Sequence, residues 1–253
     1  MEQTTSDKKP AIKLFQVPTA YGLAGSASPP CMKLETWLRL AGVPYEMGDW
    51  PSMTKPAPKG KVPYIEDDGA LIGDSTLIIE HLKRSRQIDP DLGLTRVERA
   101  VGLAFRRMLK ENVYWLIMHI RYHDDANWEQ WKKGLVSMLV PKGAPDDAVR
   151  QGHMIADGIR KNVHDQMHAH GIGRHTPEEV HQIGSADLMA VSDFLGDKSF
   201  FFGDKPTGAD ATVYAYVAQV IDLPFDSPST KVARGQKNLV DYCGRMRARF
   251  FGG

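Results

Sequence analysis

The hydrophobic rhythm of the chain changes about a third of the way along. Up to residue 90, short apolar runs alternate with turn-forming residues; beyond it, apolar positions recur at helical spacing. Ile12-Lys13-Leu14-Phe15-Gln16-Val17, closed by Pro18, predicts a strand. A loop rich in Gly, Ala and Ser follows from Thr19 to Ser28, and Pro29-Pro30 supply the fixed backbone angle of a first helical turn. Leu34, Trp37, Leu38 and Ala41 then share one helical face, with Gly42 as the stop. Val43 to Met47 predicts a second strand. Pro51, Pro56 and Pro58 break residues 48 to 60 too often for a long helix. Val62-Pro63-Tyr64-Ile65 and Ala70-Leu71-Ile72 flank the turn signal Asp67-Asp68-Gly69, which predicts an antiparallel hairpin. Asp74 and Ser75 then cap a helix through Leu82 whose apolar face is Leu77, Ile78 and Leu82.

Helices take over after residue 90. Thr95 with Glu98 forms a capping box ahead of an amphipathic run to about His123, and the start signal returns at Thr176 to Glu179 and at Thr207 to Asp210. Further helices are expected over 146 to 169 and 236 to 249. The pattern therefore divides the chain into a polar tail over 1–10, an α/β domain over 11–86, a linker over 87–91 and an all-helical domain over 92–253. Val101, Phe105 and Met108 form a stripe on the helix after Thr95. It packs either against a partner subunit or within its own bundle.

Composition narrows the function classes. With 253 residues, 42% hydrophobic and 25% charged, the chain has the make-up of a folded globular protein. A formal net charge of +1, with both signs interspersed, offers no electrostatic footprint for nucleic acid or an anionic membrane, and neither partner is expected. No apolar stretch approaches the roughly 20 residues of a membrane helix. The polar start is unlike a signal peptide, and Cys31 and Cys243 make no disulfide framework, so a cytoplasmic location is expected.

The N-terminal order, with Ser28-Pro29-Pro30-Cys31 opening the first helix, Gly60-Lys61-Val62-Pro63 before the hairpin, then Asp68-Gly69, Asp74-Ser75 and Ile78-Ile79, resembles the glutathione transferase form of the thioredoxin fold. Phe202 to Asp210 resembles the loop and capping box before a buried helix of that family. Asp91 to Thr95, Tyr114-Trp115 and Gly171 to His175 are similar to its bacterial branch related to metaxins and failed axon connections proteins. The resemblance implies a thioredoxin-like α/β N-terminal domain plus an all-α C-terminal domain, glutathione as co-substrate, and a homodimer.

It also implies roles for residues. Ser28 would donate its hydroxyl to the glutathione sulfur beside the free amides of the first helical turn; Tyr21 and Ser26 are alternative hydroxyls, and capping alone would also explain Ser28. Cys31 keeps the second position of a Cys-x-x-Cys motif whose first position is serine, which leaves glutathione-dependent thiol exchange or plain packing open. Pro63 would be cis and expose the Val62 backbone to the cysteinyl unit. Ser75 suits the γ-glutamyl carboxylate, Asp74 its ammonium or the helix cap, and Lys55, Lys59 or Lys61 the glycine carboxylate. Tyr21, Tyr114, Trp115, Met118 and Arg121 would line the pocket of a small hydrophobic electrophile. The competing reading is a non-catalytic interaction module.

His164 and His168 stand one helical turn apart, with His170 and His175 nearby. No third ligand has recognisable spacing, and no metal is expected.

Overall fold

The computed structural model of the chain describes residues 12–49 and 57–252. Pro51, Lys55 and Pro56, singled out above, lie outside the described residues, as does the polar tail. Strands β1 (Ile12–Phe15), β2 (Tyr45–Met47), β3 (Tyr64–Asp67) and β4 (Ala70–Gly73) form one sheet in the order β2-β1-β3-β4. β1 runs parallel to β2 and antiparallel to β3, with Leu14 opposite Ile65, and Ile65 in turn faces Ile72 of β4. The hairpin turn is made by Asp68 and Gly69, both at positive φ (49° and 81°), the handedness that matches the twist of the flanking strands. β3 begins only at Tyr64, two residues later than expected, because Pro63 has no amide to give to a ladder.

α1 (Pro29–Ala41) connects β1 to β2 and stops at Gly42, whose φ of 66° is the left-handed cap read from the sequence. α2 (Ser75–Arg86) runs one turn past Leu82. Its buried face carries Ile78, Ile79 and Leu82, whereas Leu77 is half exposed.

The helical part contains α3 (Arg96–Met108), α4 (Tyr114–Tyr122), α5 (Asp125–Leu139), α6 (Asp146–His170), α7 (Pro177–Leu195), α8 (Gly208–Ile221), α9 (Pro228–Gly235) and α10 (Lys237–Phe251). The capping boxes at Thr95 and Thr176 are both present. The expected single helix to His123 is instead broken by a π-helical turn over Leu109–Val113, an inserted residue's worth of backbone that re-aims everything after it. α5 and α9 escaped the periodicity reading. Each starts on a polar cap, Asp124 accepting from the Asn127 amide and Ser227 from the Thr230 amide.

Two cores interlock. The sheet, α1 and α2 bury Ile12, Leu14, Leu34, Trp37, Leu38, Ile65 and Ile78, with Ala211 of α8 among them. Leu23, Ala27 and Met32, from the loop and first turn of α1, belong instead to the larger cluster built on the helices. α8 is apolar nearly all round, as a central helix must be, and Asp210 near its start is fully buried. That carboxylate accepts from the amides of Phe201 and Thr207 at 2.7 Å and from the Tyr242 hydroxyl at 3.0 Å. The linker is anchored rather than loose: Lys83 bridges Asp89 and Asp91, and Asp91 accepts from the Gly208 amide.

Of the stripe on α3, Phe105 and Met108 pack against the helical core of their own chain, Phe105 with its ring on Phe194 and Phe201. Outside the stripe, Val97 is 72% exposed.

Candidate active site

The turn before α1, the cis peptide Val62–Pro63, the start of α2 and the π-turn converge on a cavity of about 330 Å³. Ser28, Lys61, Val62, Pro63, Asp74 and Ser75, scattered over 48 positions of sequence, all border it. So do Lys59, one of the three lysines offered for the glycine carboxylate, and three residues the sequence reading missed, Lys110, Glu111 and Tyr216. Lys110 and Glu111 reach it because they sit on the π-turn, which periodicity reads as ordinary helix.

Ser28 precedes α1 with extended backbone angles and makes no side-chain cap bond. The reason is chemical: Pro29 and Pro30 occupy the first two helical positions, and neither has an amide to cap. The same fact corrects the expected cluster of free amides. Of the first three helical amides only that of Cys31 exists, so the Ser28 hydroxyl carries more of any anion stabilisation here.

Asp74 caps α2, accepting from the amides of Thr76 at 2.8 Å and Leu77 at 3.2 Å. Burial alone would raise its pKa, but these two amides with Lys110 and Lys33 outweigh it and hold the carboxyl below its usual range. Its φ of 79° is a left-handed value that a non-glycine residue adopts at a cost. Ser75, next in line, is buried except toward the cavity.

A second cavity of about 280 Å³ adjoins the first, and Ser28 and Tyr114 border both. Met118, Arg121, Tyr122, Trp131 and Leu135 give it an apolar lining with one cation. Met118, Arg121 and Tyr114 therefore stand where the electrophile pocket was expected; Trp115 faces the first cavity instead.

Arg121 is buried and, among the described residues, has no carboxylate partner. It donates to the Ala27 carbonyl at 2.9 Å and to Gln219, its guanidinium lies 4.5 Å over the Trp131 ring, and burial brings its pKa down to about 10. Gln219 in turn donates to the Ser26 carbonyl at 2.9 Å. Together they fix the backbone just ahead of Ser28.

Two expected catalytic residues lie elsewhere. Tyr21 is committed to α5: its hydroxyl donates to the Gln130 carbonyl and accepts from the Gly134 amide, and its ring packs edge-on against Phe225. It borders neither cavity. Cys31 is fully buried, and burial pushes its thiol up to about 11 despite the neighbouring Ser28 and Ser26 hydroxyls. A thiol so placed stays protonated at neutral pH, which takes away the nucleophile that thiol exchange requires.

The histidines gather differently from the sequence reading. His119 of α4 and His123, the residue just after that helix, stack at 4.3 Å, with His181 and His164 beside them, while His168 is exposed and His175 pairs with Glu179. Among the described residues, no group of three or more His, Cys, Asp or Glu side chains is arranged to hold a metal ion. Nor is any described helix long and apolar enough to cross a membrane.

Comparison with known proteins places this geometry in context. Residues 29–127 match the family model of the glutathione S-transferase N-terminal domain, and residues 184–246 that of the C-terminal domain. The chain is 33% identical to the isoprene-epoxide–glutathione S-transferase of Rhodococcus sp. (strain AD45), over 94% of this chain and 99% of that protein. It is also 33% identical to Failed axon connections of Drosophila melanogaster, over 98% of this chain and 60% of that protein, and 26% identical to human Metaxin-1 over 85% and 46%. Among solved structures, a glutathione S-transferase of Ceriporiopsis subvermispora in complex with glutathione has the same fold (TM-score 0.56, 17% identity, 95% of this chain and 98% of that one).

Proposed function

Because the chain belongs to the glutathione S-transferase family, we propose that it binds glutathione in the larger cavity and conjugates it to a small hydrophobic electrophile held in the adjoining one. The observation that carries this reading is the shared wall: Ser28 stands where the two cavities meet, with its hydroxyl free of any capping duty. Glutathione lies with its γ-glutamyl end at Asp74 and Ser75, its cysteinyl backbone along Val62, and its glycine carboxylate toward Lys59 and Lys61.

In the reaction the thiol proton leaves to solvent and the sulfur anion accepts a hydrogen bond from Ser28. The sulfur then attacks an electrophilic carbon. The name of the Rhodococcus relative points to an epoxide; there the carbon–oxygen bond breaks and the oxygen takes a proton from water. Lowering a thiol from about 8.5 to about 6.5 needs roughly 2.7 kcal/mol. A hydrogen bond to a charged group supplies about 1.5–3 kcal/mol, so Ser28 with the single Cys31 amide is sufficient.

Titration with glutathione, followed by thiolate ultraviolet absorbance at pH 7, tests the proposal. Wild type is expected to bind and to show the thiolate; Ser28→Ala is expected to bind within a few-fold yet lose the thiolate signal and at least tenfold in turnover. Equal thiolate in both proteins would remove Ser28 from the role.

The equal identity to Failed axon connections favours a second reading, a non-catalytic interaction module. No binding at millimolar glutathione would select it. We also propose a homodimer through α3, whose Val97 and Leu103 are exposed in the single chain. Light scattering at micromolar protein is expected to give twice the 28.2 kDa chain mass, and a concentration-independent monomer mass would exclude it.

A further inference from the structure

One cation stands just behind the wall of the glutathione cavity. Lys33, on the first turns of α1, is 3% exposed, and its ammonium donates to the Ser75 hydroxyl at 3.4 Å and the Thr76 hydroxyl at 2.9 Å. Among the described residues no carboxylate pairs with it. A buried lysine is ordinarily matched by an acid, because an unneutralised charge in a low-dielectric interior is costly. Here the two hydroxyls are its hydrogen-bond partners, and one of them, Ser75, borders the cavity.

The charged groups around Lys33 leave room for an anion. Arg106 and Arg107 of α3 and Lys110 of the π-turn oppose its charge, and Asp74 favours it. The Asp74 carboxylate already serves two amides and Lys110. On the other side of Lys33, a separate cavity between α1, α2, α3 and α8 brings Glu80, Lys83, Asp91, Glu98 and Arg99. Lys83 pairs with Asp91, Arg99 with Asp89, Glu98 closes the Thr95 capping box, and Glu80 lines the same cavity without forming an ion pair with Lys33. α8 presents only Thr212 and its small neighbours there.

We propose that Lys33 is the buried counter-ion of the γ-glutamyl carboxylate of glutathione, acting through the Ser75 hydroxyl, so that ligand binding is coupled to uptake of one proton by the Lys33 amine. The proposal rests on the glutathione reading above. An oxygen that accepts from an ammonium turns its own proton outward, toward the cavity, and becomes a stronger donor to a carboxylate there. Lys33 is thus a positioning residue that never touches the ligand.

The sign of the pH effect follows. Burial first, then the neighbouring cations, bring the Lys33 amine down to about 7, whereas a bound carboxylate favours the charged form and raises it. Below pH 7 the counter-ion is in place; above it, binding must recapture a proton. Affinity therefore weakens by about tenfold from pH 6 to pH 8.

The test uses S-methylglutathione, which keeps the γ-glutamyl end and has no thiol to titrate. Calorimetry of the wild type is expected to show this tenfold weakening. At pH 7.5, in two buffers of different ionisation enthalpy, it is expected to show uptake of about 0.7 proton per ligand. Lys33→Met is expected to bind at pH 6 more weakly than wild type does at pH 8, with no proton uptake. Binding by wild type that is pH-independent and proton-neutral overturns the role of Lys33 and leaves the glutathione reading intact. Proton uptake that survives in Lys33→Met assigns the proton to another group and also overturns it. Absence of binding at every pH removes both.

Discussion

Replacing Asp74 by glycine and by alanine separates what its side chain does from what its backbone endures. At φ 79° and ψ 116° the residue sits where only glycine is at ease, a strain of order 1–3 kcal/mol. Its carboxylate compensates in part. Capping the Thr76 and Leu77 amides is worth about 1 kcal/mol. The Lys110 pair, at 3.7 Å with both side chains about a third exposed, adds about 0–1 kcal/mol. Asp74→Ala loses the cap and keeps the strain, so it is expected to be about 1–2 kcal/mol less stable than wild type. Asp74→Gly loses a few tenths as a cap and the same Lys110 pair, gives up about 0.4–1 kcal/mol to the freedom of the unfolded chain, and releases the strain. It is expected to equal or exceed wild type and to stand about 1–3 kcal/mol above Asp74→Ala. Urea unfolding of the three proteins measures this directly, and thermal midpoints should separate by about 2–4 °C per kcal/mol in a chain of this length. Both variants are expected to bind glutathione more weakly, since each removes the carboxylate. A glycine variant no more stable than the alanine variant would refute the strain argument and leave the cap as the whole contribution of Asp74.

Two further perturbations address the interior. His119 is 5% exposed, and burial first, then His123, His181 and His164, push it down to about 3, so it is neutral in the fold while the unfolded chain protonates it near 6.5. The unfolded state therefore binds more protons between these values: this stability is fully present above pH 6.5 and is lost as pH falls, by about 2 kcal/mol at pH 5. Denaturation at pH 7 and pH 5 is expected to show that loss in wild type and a smaller one in His119→Phe; equal losses would return the effect to other groups. Arg121→Met strands two buried acceptors, the Ala27 carbonyl and the Gln219 amide oxygen, and is expected to cost about 2–4 kcal/mol. Arg121→Met combined with Gln219→Leu is expected to recover about 1 kcal/mol of the summed losses, and strict additivity in that cycle would show the pair to be uncoupled.

What could be read from the sequence was whatever local chemistry dictates. The left-handed stop at Gly42, the hairpin turn at Asp68-Gly69 and the boxes at Thr95 and Thr176 are each written within four residues, and each is where the structure has it. The six residues assigned by resemblance to a glutathione site, Ser28, Lys61, Val62, Pro63, Asp74 and Ser75, border one cavity. The π-turn left no trace, because inserting one residue into a helix preserves composition and blurs the period only over its own five positions. Tyr21 was misplaced for a different reason. A hydroxyl in a loop near Ser28 is equally compatible with the cavity and with α5, and the choice is made by the backbone of Gln130 and Gly134, more than a hundred residues away. Lys33 and Gln219 share that difficulty: on a sequence they are surface residues by type, and only packing reveals them as buried.

These buried polar residues bear on where the functional unit ends. The boundary drawn at residues 87–91 follows composition, yet the segment that aims Ser28 is held from the far side of it. The Ser26 carbonyl is bound by Gln219, the Ala27 carbonyl by Arg121, the Tyr21 hydroxyl by α5, and Leu23, Ala27 and Met32 are buried in the helical core rather than with the sheet. An excised thioredoxin-like part would keep Val62, Asp74 and Ser75 on its own sheet and α2, but would leave those two carbonyls and three apolar side chains exposed to water. The two parts therefore divide the labour unequally. On the proposed function, the sheet and α2 would form the cradle of glutathione while the helices fix the segment carrying the Ser28 hydroxyl, so a substitution at Gln219 is expected to alter turnover through Ser28 without touching a ligand.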